Sequence, residues 1–204
     1  MVNTVFFVLL AFISGALPFS VWIGQYGIRK DIRHYGDGNP GMFNVLRAGG
    51  VAWGGLALIL DISKAALPVG LATYVFKFDG LSLVLIAIAP VLGHAFSPFL
   101  NFKGGKAIAT TGGIWIGLTL WPVPLVGIAA LIIWSFTLTS SGWAVMFTLI
   151  SMLIYLLLSA ASGLLIVIWL LNALVLAYKH RSEITHLPVF RVPSPLRALW
   201  DVKE

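Results

Sequence analysis

The sequence predicts an all-α integral membrane protein, a bundle of about seven transmembrane helices. Of its 204 residues, 59% are hydrophobic and only 10% are charged. Such a composition leaves too few polar side chains to cover a water-soluble domain. The apolar residues fall in long runs, several near the roughly 20 residues that a helix needs to cross a bilayer. The basic residues, finally, gather on one side of the predicted bundle.

Seven apolar runs are the predicted spans, and segments with polar, glycine or proline residues separate them. The first run lacks the basic segment of a signal peptide, so we expect it to be retained as a membrane helix. Some runs are shorter than about 20 residues, which predicts helices that end before one surface or continue into loops. The approximate bounds are 3–24, 50–75, 81–97, 107–120, 124–138, 143–158 and 163–179.

The basic residues predict the orientation. If the N-terminus is outside, the positive-inside rule makes the basic side and the C-terminus cytoplasmic. Lys77 lies on the opposite side, and Lys64 lies within a span beside Asp61. We expect Asp61 and Lys64 to pair within their helix, because an isolated charge at that depth is costly; a role in a polar cavity stays open. The residues on the basic side are Arg29, Lys30, Arg33, Arg47, Lys103, Lys106, Lys179, Arg181, Arg191, Arg197 and Lys203.

The chain is predicted to be a single transmembrane domain over residues 1–180, followed by a polar cytoplasmic tail over 181–204. The spacing of Gly50–Gly54 and Gly113–Gly117 is typical of closely packed membrane helices. The absence of cysteine excludes disulfides, thiolate metal sites and a cysteine nucleophile. The net charge of +6 comes from thinly spread residues, so it does not indicate nucleic-acid binding.

A glycine-rich loop, DIRHYGDGNPGMFNVLRAGG over residues 31–50, is the first candidate anion site. Its glycines allow unusual dihedral angles and close approach to a ligand, its two asparagines supply amide donors, and its last arginine supplies a planar guanidinium. The alternative is an ordinary cytoplasmic turn with basic residues. The candidate binding residues are Gly36, Gly38, Asn39, Gly41, Asn44 and Arg47.

A second candidate anion site is the segment FLNFKGGKAIATTGG, which precedes an apolar helix. The amides of Gly104 and Gly105 are predicted to form an anion nest at the helix N-terminus, and Lys106 adds a positive charge. A Walker A motif is disfavoured, because position 100 is leucine and Ala107 replaces the required Ser or Thr. Basic flanking of a membrane helix is the alternative, which fits Lys103 better than Lys106.

The third polar segment is YKHRSEITHL. His180, Glu183 and His186 lie roughly on one face if the preceding helix continues. The segment lacks the H-E-x-x-H pattern and a further strong ligand, so no metal site is predicted. His180, at the boundary between helix and water, is the better functional candidate.

These segments resemble the bacterial acyl-phosphate-dependent glycerol-3-phosphate acyltransferases, the PlsY family. The motifs SGALP, DIRHYGDGNPGMFNVLR, GHAFSPFLNFKGGKAIAT and HRSEITHL occur in the family's order and spacing. The resemblance implies a multi-pass protein of the bacterial cytoplasmic (inner) membrane that acts in phospholipid biosynthesis. It implies transfer of an acyl group from acyl phosphate to the 1-hydroxyl of glycerol 3-phosphate, giving lysophosphatidic acid and phosphate, with no cofactor.

The resemblance also implies roles for the candidate residues. Arg47 and Lys106 would hold the two substrate phosphates close together, and the acyl chain would lie among the helices. Either His180 or an oxygen of the donor phosphate would accept the proton. Ser141 would join the glycines and asparagines named above as a substrate-binding residue.

The sequence departs from the family pattern at five positions. The family usually has serine, threonine, serine, asparagine and arginine where this chain has Asp37, Phe43, Ala144, Glu183 and His186. Two carboxylates enter the site, and a carboxylate repels a phosphate unless a cation or a proton neutralises it. The changed lining also fits a different polyol phosphate or an uncharged acceptor. A transporter of small anions or lipids and a non-catalytic lipid-binding relative are the alternative functions.

Overall fold

A computed structural model describes residues 3–191 of the chain. This part is helical, with π-helical turns continuing α2 to Ile28 and α4 to Val75, and 3₁₀ turns at Ile32–His34 and Pro98–Leu100. The α-helices are α1 (Thr4–Ala16), α2 (Phe19–Trp22), α3 (Met42–Gly49), α4 (Val51–Gly70), α5 (Gly80–Ala95), α6 (Ile108–Thr119), α7 (Pro122–Thr137), α8 (Ser141–Leu158) and α9 (Gly163–Lys179).

The predicted all-α membrane fold is confirmed. Each predicted span corresponds to an apolar helix or to helices in direct succession. Within the described part of the chain, four helical stretches are long and apolar enough to cross a membrane, namely Thr4–Ile28, Val51–Val75, Gly80–Leu100 and Ser141–Leu158. Helices α6, α7 and α9 are apolar but shorter. The number of crossings, the orientation and the boundary at residue 180 stay predictions, and Arg197 and Lys203 lie outside the described residues.

Helix α3 is an element that the sequence did not predict. It lies inside the first polar loop, and its apolar face buries Val45 and Ala48. Asn44 is buried on the same helix, and Arg47 lies in its last turn. Gly50 then joins α3 to α4 with a φ angle of 88°, a conformation that favours glycine. The loop therefore holds two of its candidate side chains on a short, packed helix.

Helix α5 lies inside the bundle and contacts α1, α4, α6 and α9. Its crossing with α1 brings the two backbones together. A Cβ atom added at Gly15 would collide with the backbone of Pro90, and one added at Gly93 would collide with the carbonyl oxygen of Phe12. Glycine on each helix thus permits the close contact. This contact fixes the C-terminal end of α5, where the second polar segment begins.

The predicted close packing at Gly113–Gly117 is confirmed, since a Cβ at Gly113 would meet the carbonyl oxygen of Ile62 and one at Gly117 would meet the backbone of Gly70. The same prediction for Gly50–Gly54 is wrong. Gly50 is the joint between α3 and α4, with nothing near its missing Cβ, whereas Gly54 packs on Leu46 of the neighbouring α3. Gly50 therefore permits a turn, and Gly54 permits a local contact between α3 and α4, rather than close packing of two membrane helices.

We expect Gly93→Ala to destabilise the protein by about 1–3 kcal/mol, the usual cost of inserting a methyl group into a packed core. The new methyl group would meet backbone atoms of α1, which cannot rotate away. Thermal unfolding in detergent micelles measures the change. Gly55→Ala is the matched control, because no atom lies within 4 Å of a Cβ at Gly55. Equal melting temperatures for the two variants would contradict this account of the α1–α5 contact.

A buried polar network links α4 to α5 and to the α1–α2 junction. Lys64 Nζ donates to Asp61 Oδ1 at 2.7 Å and lies 2.9 Å from His94 Nδ1. It also donates to the carbonyl oxygen of Leu17 at 2.8 Å, while Ser20 Oγ donates to Asp61 Oδ2 at 2.7 Å. The predicted pairing of Asp61 with Lys64 within one helix is therefore confirmed. His94 is tied into the same network.

Candidate functional site

Lys106 is the centre of the polar site. Its Nζ donates to Asp37 Oδ2 at 2.6 Å and also forms an ion pair with the Glu183 carboxylate. Asp37 comes from the first polar loop, Lys106 from the second polar segment and Glu183 from the segment after α9. A single ammonium group thus joins three parts of the chain that are distant in sequence.

Arg47 reaches the same site through Asn44. Arg47 Nη1 donates to Asn44 Oδ1 at 2.8 Å, and Asn44 Nδ2 donates to Asp37 Oδ1 at 3.1 Å and to the carbonyl oxygen of Asn39 at 2.9 Å. The Asp37 carboxylate therefore lies between Lys106 and the Asn44–Arg47 pair. The structure brings Arg47 and Lys106 to one place, as the sequence predicted, while their catalytic roles stay predictions.

The glycines of the first loop make room for these side chains. Gly36 has a φ angle of 57°, and a Cβ there would collide with the Arg47 guanidinium and the Asn44 amide. The amides of Gly38 and Gly41 donate to backbone carbonyl oxygens of the loop itself, at 3.0 and 2.8 Å. Those two amides are thus engaged within the loop, as are both N–H groups of the Asn44 side chain, so the expected anion donor here is the guanidinium of Arg47.

The prediction that the Gly104 and Gly105 amides form an anion nest is wrong for Gly105. The N–H of Gly105 donates to the carbonyl oxygen of His94 at 3.1 Å, so this amide is not available to a ligand. A Cβ at Gly105 would collide with the His94 ring, and one at Gly104 would collide with the His94 carbonyl. Both glycines serve close packing on the end of α5. This packing positions the neighbouring Lys106.

The segment after α9 lies across the turn between α7 and α8. Ser141 Oγ donates to Glu183 Oε2 at 2.6 Å, and Ser140 Oγ donates to the Glu183 carbonyl oxygen at 3.0 Å. Further along, Trp143 Nε1 donates to the His186 carbonyl oxygen at 2.7 Å, and Phe190 forms a backbone bridge with Leu138. These contacts hold Glu183 against Lys106. The predicted site residue Ser141 is thus in the site through Glu183.

His180 is completely buried at the end of α9. Its Nδ1 lies 3.4 Å from Glu183 Oε2, and its Nε2 has no hydrogen-bond partner among residues 3–191. Burial lowers the pKa of His180, and this effect outweighs the opposing influence of Glu183. A neutral imidazole can accept a proton at neutral pH.

The ion pairs at Lys106 keep all three groups charged. Burial raises the pKa of the Asp37 and Glu183 carboxyls, but hydrogen bonds, chiefly from Lys106, outweigh burial and lower both pKa values. Burial lowers the pKa of Lys106, yet its two carboxylate partners raise it above the usual value. At neutral pH the centre of the site is one ammonium between two carboxylates.

Two cavities meet at Lys106. The first is a surface cleft of about 370 Å³ and the second is an apolar cavity of about 380 Å³ inside the bundle. Lys106 and Asn39 line both cavities. The charged lining of the cleft is Asp37, Lys103, Lys106, Lys179 and Arg181. The apolar lining includes Leu58, Ile62, Trp115, Leu131, Leu149 and Met152.

Sequence reasoning missed several of these residues. It stated that the Asp37 and Glu183 carboxylates repel a phosphate unless a cation or a proton neutralises them, but it did not identify Lys106 as that cation. It assigned no site role to Lys179 and Arg181, which line the cleft. Lys179 and Arg181 flank His180 in the sequence, and this position next to a candidate site residue could have indicated their place in the site. Within residues 3–191, no group of three His, Cys, Asp or Glu side chains could hold a metal ion.

The fold and the site define a multi-pass membrane protein with an ion-paired polar centre between a cationic cleft and an apolar cavity. Comparison with known proteins identifies the family. A sequence model described as "Glycerol-3-phosphate acyltransferase" matches residues 5–188. The chain belongs to this glycerol-3-phosphate acyltransferase family.

Similar proteins and structures agree with this assignment. Glycerol-3-phosphate acyltransferase 1 of Thermotoga maritima is 37% identical over 194 residues, which cover 88% of this chain and 95% of that protein. The glycerol-3-phosphate acyltransferase of Listeria welshimeri is 33% identical over 190 residues, covering 91% and 93% of the two chains.

Crystal structures of PlsY (YgiH), an integral membrane glycerol 3-phosphate acyltransferase, share the fold. Its glycerol 3-phosphate form superposes with a TM-score of 0.81 at 27% identity, over 97% of this chain and 99% of that one. Its lysophosphatidic acid form gives a TM-score of 0.79 at 28% identity, over 89% of each chain.

Proposed function

We propose that this protein is a membrane acyltransferase that makes lysophosphatidic acid by moving an acyl group from acyl phosphate to the 1-hydroxyl of glycerol 3-phosphate. The observation that carries the proposal is that Lys106 lines both the cationic cleft and the apolar cavity. A reaction that joins a fatty chain to a small phosphorylated acceptor needs both environments at one point. The relatives named as glycerol-3-phosphate acyltransferases support the same reaction.

The two cavities divide the substrates between them. The fatty chain lies in the apolar cavity, where burial of methylene groups is favourable. The phosphates lie at the polar centre and in the cleft, near Lys106 and Arg181, and Arg47 joins the centre through Asn44 and Asp37. Because the cleft lining carries more cations than carboxylates, it attracts an anionic acceptor. This arrangement holds the acceptor hydroxyl next to the acyl carbonyl and removes the entropic cost of bringing them together.

The chemical step needs no covalent enzyme intermediate, since acyl phosphate is a mixed anhydride with a good leaving group. The acceptor oxygen attacks the acyl carbon, the new ester C–O bond forms, and the bond from the acyl carbon to the phosphate oxygen breaks. Lys106 and Arg47 stabilise the negative charge that develops on the phosphate. The hydroxyl proton goes either to an oxygen of the departing phosphate or to neutral His180.

The site lies on the basic side of the bundle, which the positive-inside rule assigns to the cytoplasm. We place the protein in the bacterial cytoplasmic (inner) membrane with the N-terminus outside. Glycerol 3-phosphate then reaches the cleft from the cytosol, and the acyl chain of the product remains in the bilayer.

The proposal is tested with purified protein in lipid nanodiscs. Long-chain acyl phosphate and glycerol 3-phosphate are added, and released phosphate and lysophosphatidic acid are measured together. We expect equimolar formation of both. A panel of other polyol phosphates and uncharged glycerol tests the acceptor. No acylated product with any acceptor, combined with solute flux in proteoliposomes, would instead indicate a transporter.

A further inference from the structure

The carboxylates of Asp37 and Glu183 are bound as a phosphate would be bound. Asp37 Oδ2 accepts from Lys106 Nζ, and its Oδ1 accepts from the Asn39 amide at 3.2 Å and from Asn44 Nδ2 at 3.1 Å. An ammonium, a backbone N–H and a side-chain amide are typical donors to a phosphate. The Asp37 side chain thus engages much of the donor set available in the first loop.

Glu183 engages the donors on the other side of Lys106. Its carboxylate accepts from Ser141 Oγ at 2.6 Å, lies 3.4 Å from His180 Nδ1 and pairs with Lys106. Its partners are therefore a hydroxyl, an imidazole and an ammonium, which are also groups that can donate to a phosphate. Each carboxylate is held by neutral donors in addition to Lys106, so neither depends on the ammonium alone.

The two carboxylates differ in how easily an anion can displace them from Lys106. The Asp37 side chain is 48% exposed, whereas the Glu183 side chain is 21% exposed. The Asp37 side chain can therefore rotate away from Lys106 towards the solvent when an anion approaches. Glu183 is covered by the α7–α8 turn and stays, so its charge continues to act on whatever binds Lys106.

From this geometry we infer that Asp37 and Glu183 are specificity-determining residues that compete with the acceptor phosphate for Lys106 and its neighbouring donors. This inference rests on the proposed function of the site. Asp37 must release its donors before a phosphate can use them, and Glu183 repels the phosphate at short range. The protein thus binds a doubly charged phosphate acceptor more weakly than its cationic cleft alone would allow.

The test uses the isosteric variants Asp37→Asn and Glu183→Gln, with Asp37→Ser as a second variant at the first position. Each removes one negative charge. We expect each to lower the KM for glycerol 3-phosphate roughly tenfold, the scale of about one charge–charge contact near a protein surface. The KM for uncharged glycerol, measured at saturating acyl phosphate, is expected to change less than the KM for glycerol 3-phosphate, because this acceptor carries no phosphate of its own.

Asp31→Asn is the matched control. Asp31 lies in the same loop, but its carboxylate pairs with Arg33 and does not contact Lys106. Its KM for glycerol 3-phosphate should remain that of the wild-type protein. An equal fall in the Asp31 variant would show a general charge effect and would overturn the inference.

Direct binding separates this inference from the proposed reaction. Isothermal titration calorimetry of glycerol 3-phosphate into each protein in detergent needs no acyl donor and no turnover. Tighter binding by the Asp37 and Glu183 variants supports competition even if no acyl transfer to glycerol 3-phosphate is detected, a result that would reject only the reaction. Unchanged or weaker binding in correctly folded variants overturns the inference, and a large loss of kcat in Glu183→Gln would instead assign that carboxylate to the chemistry.

Discussion

Lys106→Met is expected to reduce kcat for acyl transfer by about 10²–10³-fold, the usual cost of removing one preorganised group that stabilises transition-state charge. Lys106 is the one residue that pairs with both Asp37 and Glu183 in the described chain, and it lines both cavities. Without its ammonium, two carboxylates face the departing phosphate unneutralised. The measurement is phosphate release from acyl phosphate at saturating glycerol 3-phosphate.

Lys77→Met is the control for the loss of one positive charge. Lys77 precedes α5, whereas the polar segment with Lys106 follows it, so the two lysines lie at opposite ends of that helix. We expect the Lys77 variant to retain wild-type kcat. A Lys106→Met protein that is folded and loses less than about threefold in kcat would contradict the proposed role of Lys106.

The second large effect concerns stability. Lys64→Met is expected to destabilise the protein by about 3–5 kcal/mol, because removing one partner leaves a buried charge uncompensated. The side chains of Asp61 and Lys64 are each only 2% exposed. In the variant the Asp61 carboxylate keeps its hydrogen bond from Ser20 but loses its ammonium partner. Thermal unfolding in detergent micelles gives the change.

The double variant Asp61→Asn with Lys64→Met distinguishes charge from packing. It removes both charges, so we expect it to be more stable than Lys64→Met alone. If the double variant is the less stable of the two, lost packing rather than an unpaired charge explains the single substitution. Acyl transfer measured on the same samples shows whether the network also affects activity, as expected if His94 supports the Gly104–Gly105 pair next to Lys106.

The membrane fold could be predicted because its signals are local. Long apolar runs reveal helices directly, so the helices α4 to α9 appear near their predicted bounds. The orientation read from the basic residues stays a prediction. Helix α3 was missed because it has only eight residues inside a glycine-rich polar loop and is stabilised by packing on α4, a tertiary contact.

The site was predicted in part. Arg47, Lys106 and His180 come together as the motifs indicated, but the partners of each depend on contacts between distant segments. No local pattern reveals that Gly105 donates its amide to His94 or that Lys106 bridges Asp37 and Glu183. Charge neutralisation of two carboxylates by one lysine needs the three-dimensional arrangement, since the residues are separated by 69 and 77 positions in the numbering of the chain.

The polar site takes Glu183 from the stretch that follows the last helix, held by Ser140 and by the bridge from Phe190 to Leu138. Translation delivers this stretch after the nine α-helices of residues 3–191. A nascent chain can therefore insert its helices into the bilayer before the centre around Lys106 is complete. The ion-paired centre would then be completed only when the stretch with Glu183 docks on the turn between α7 and α8, so its assembly is a late step that follows insertion of the helices.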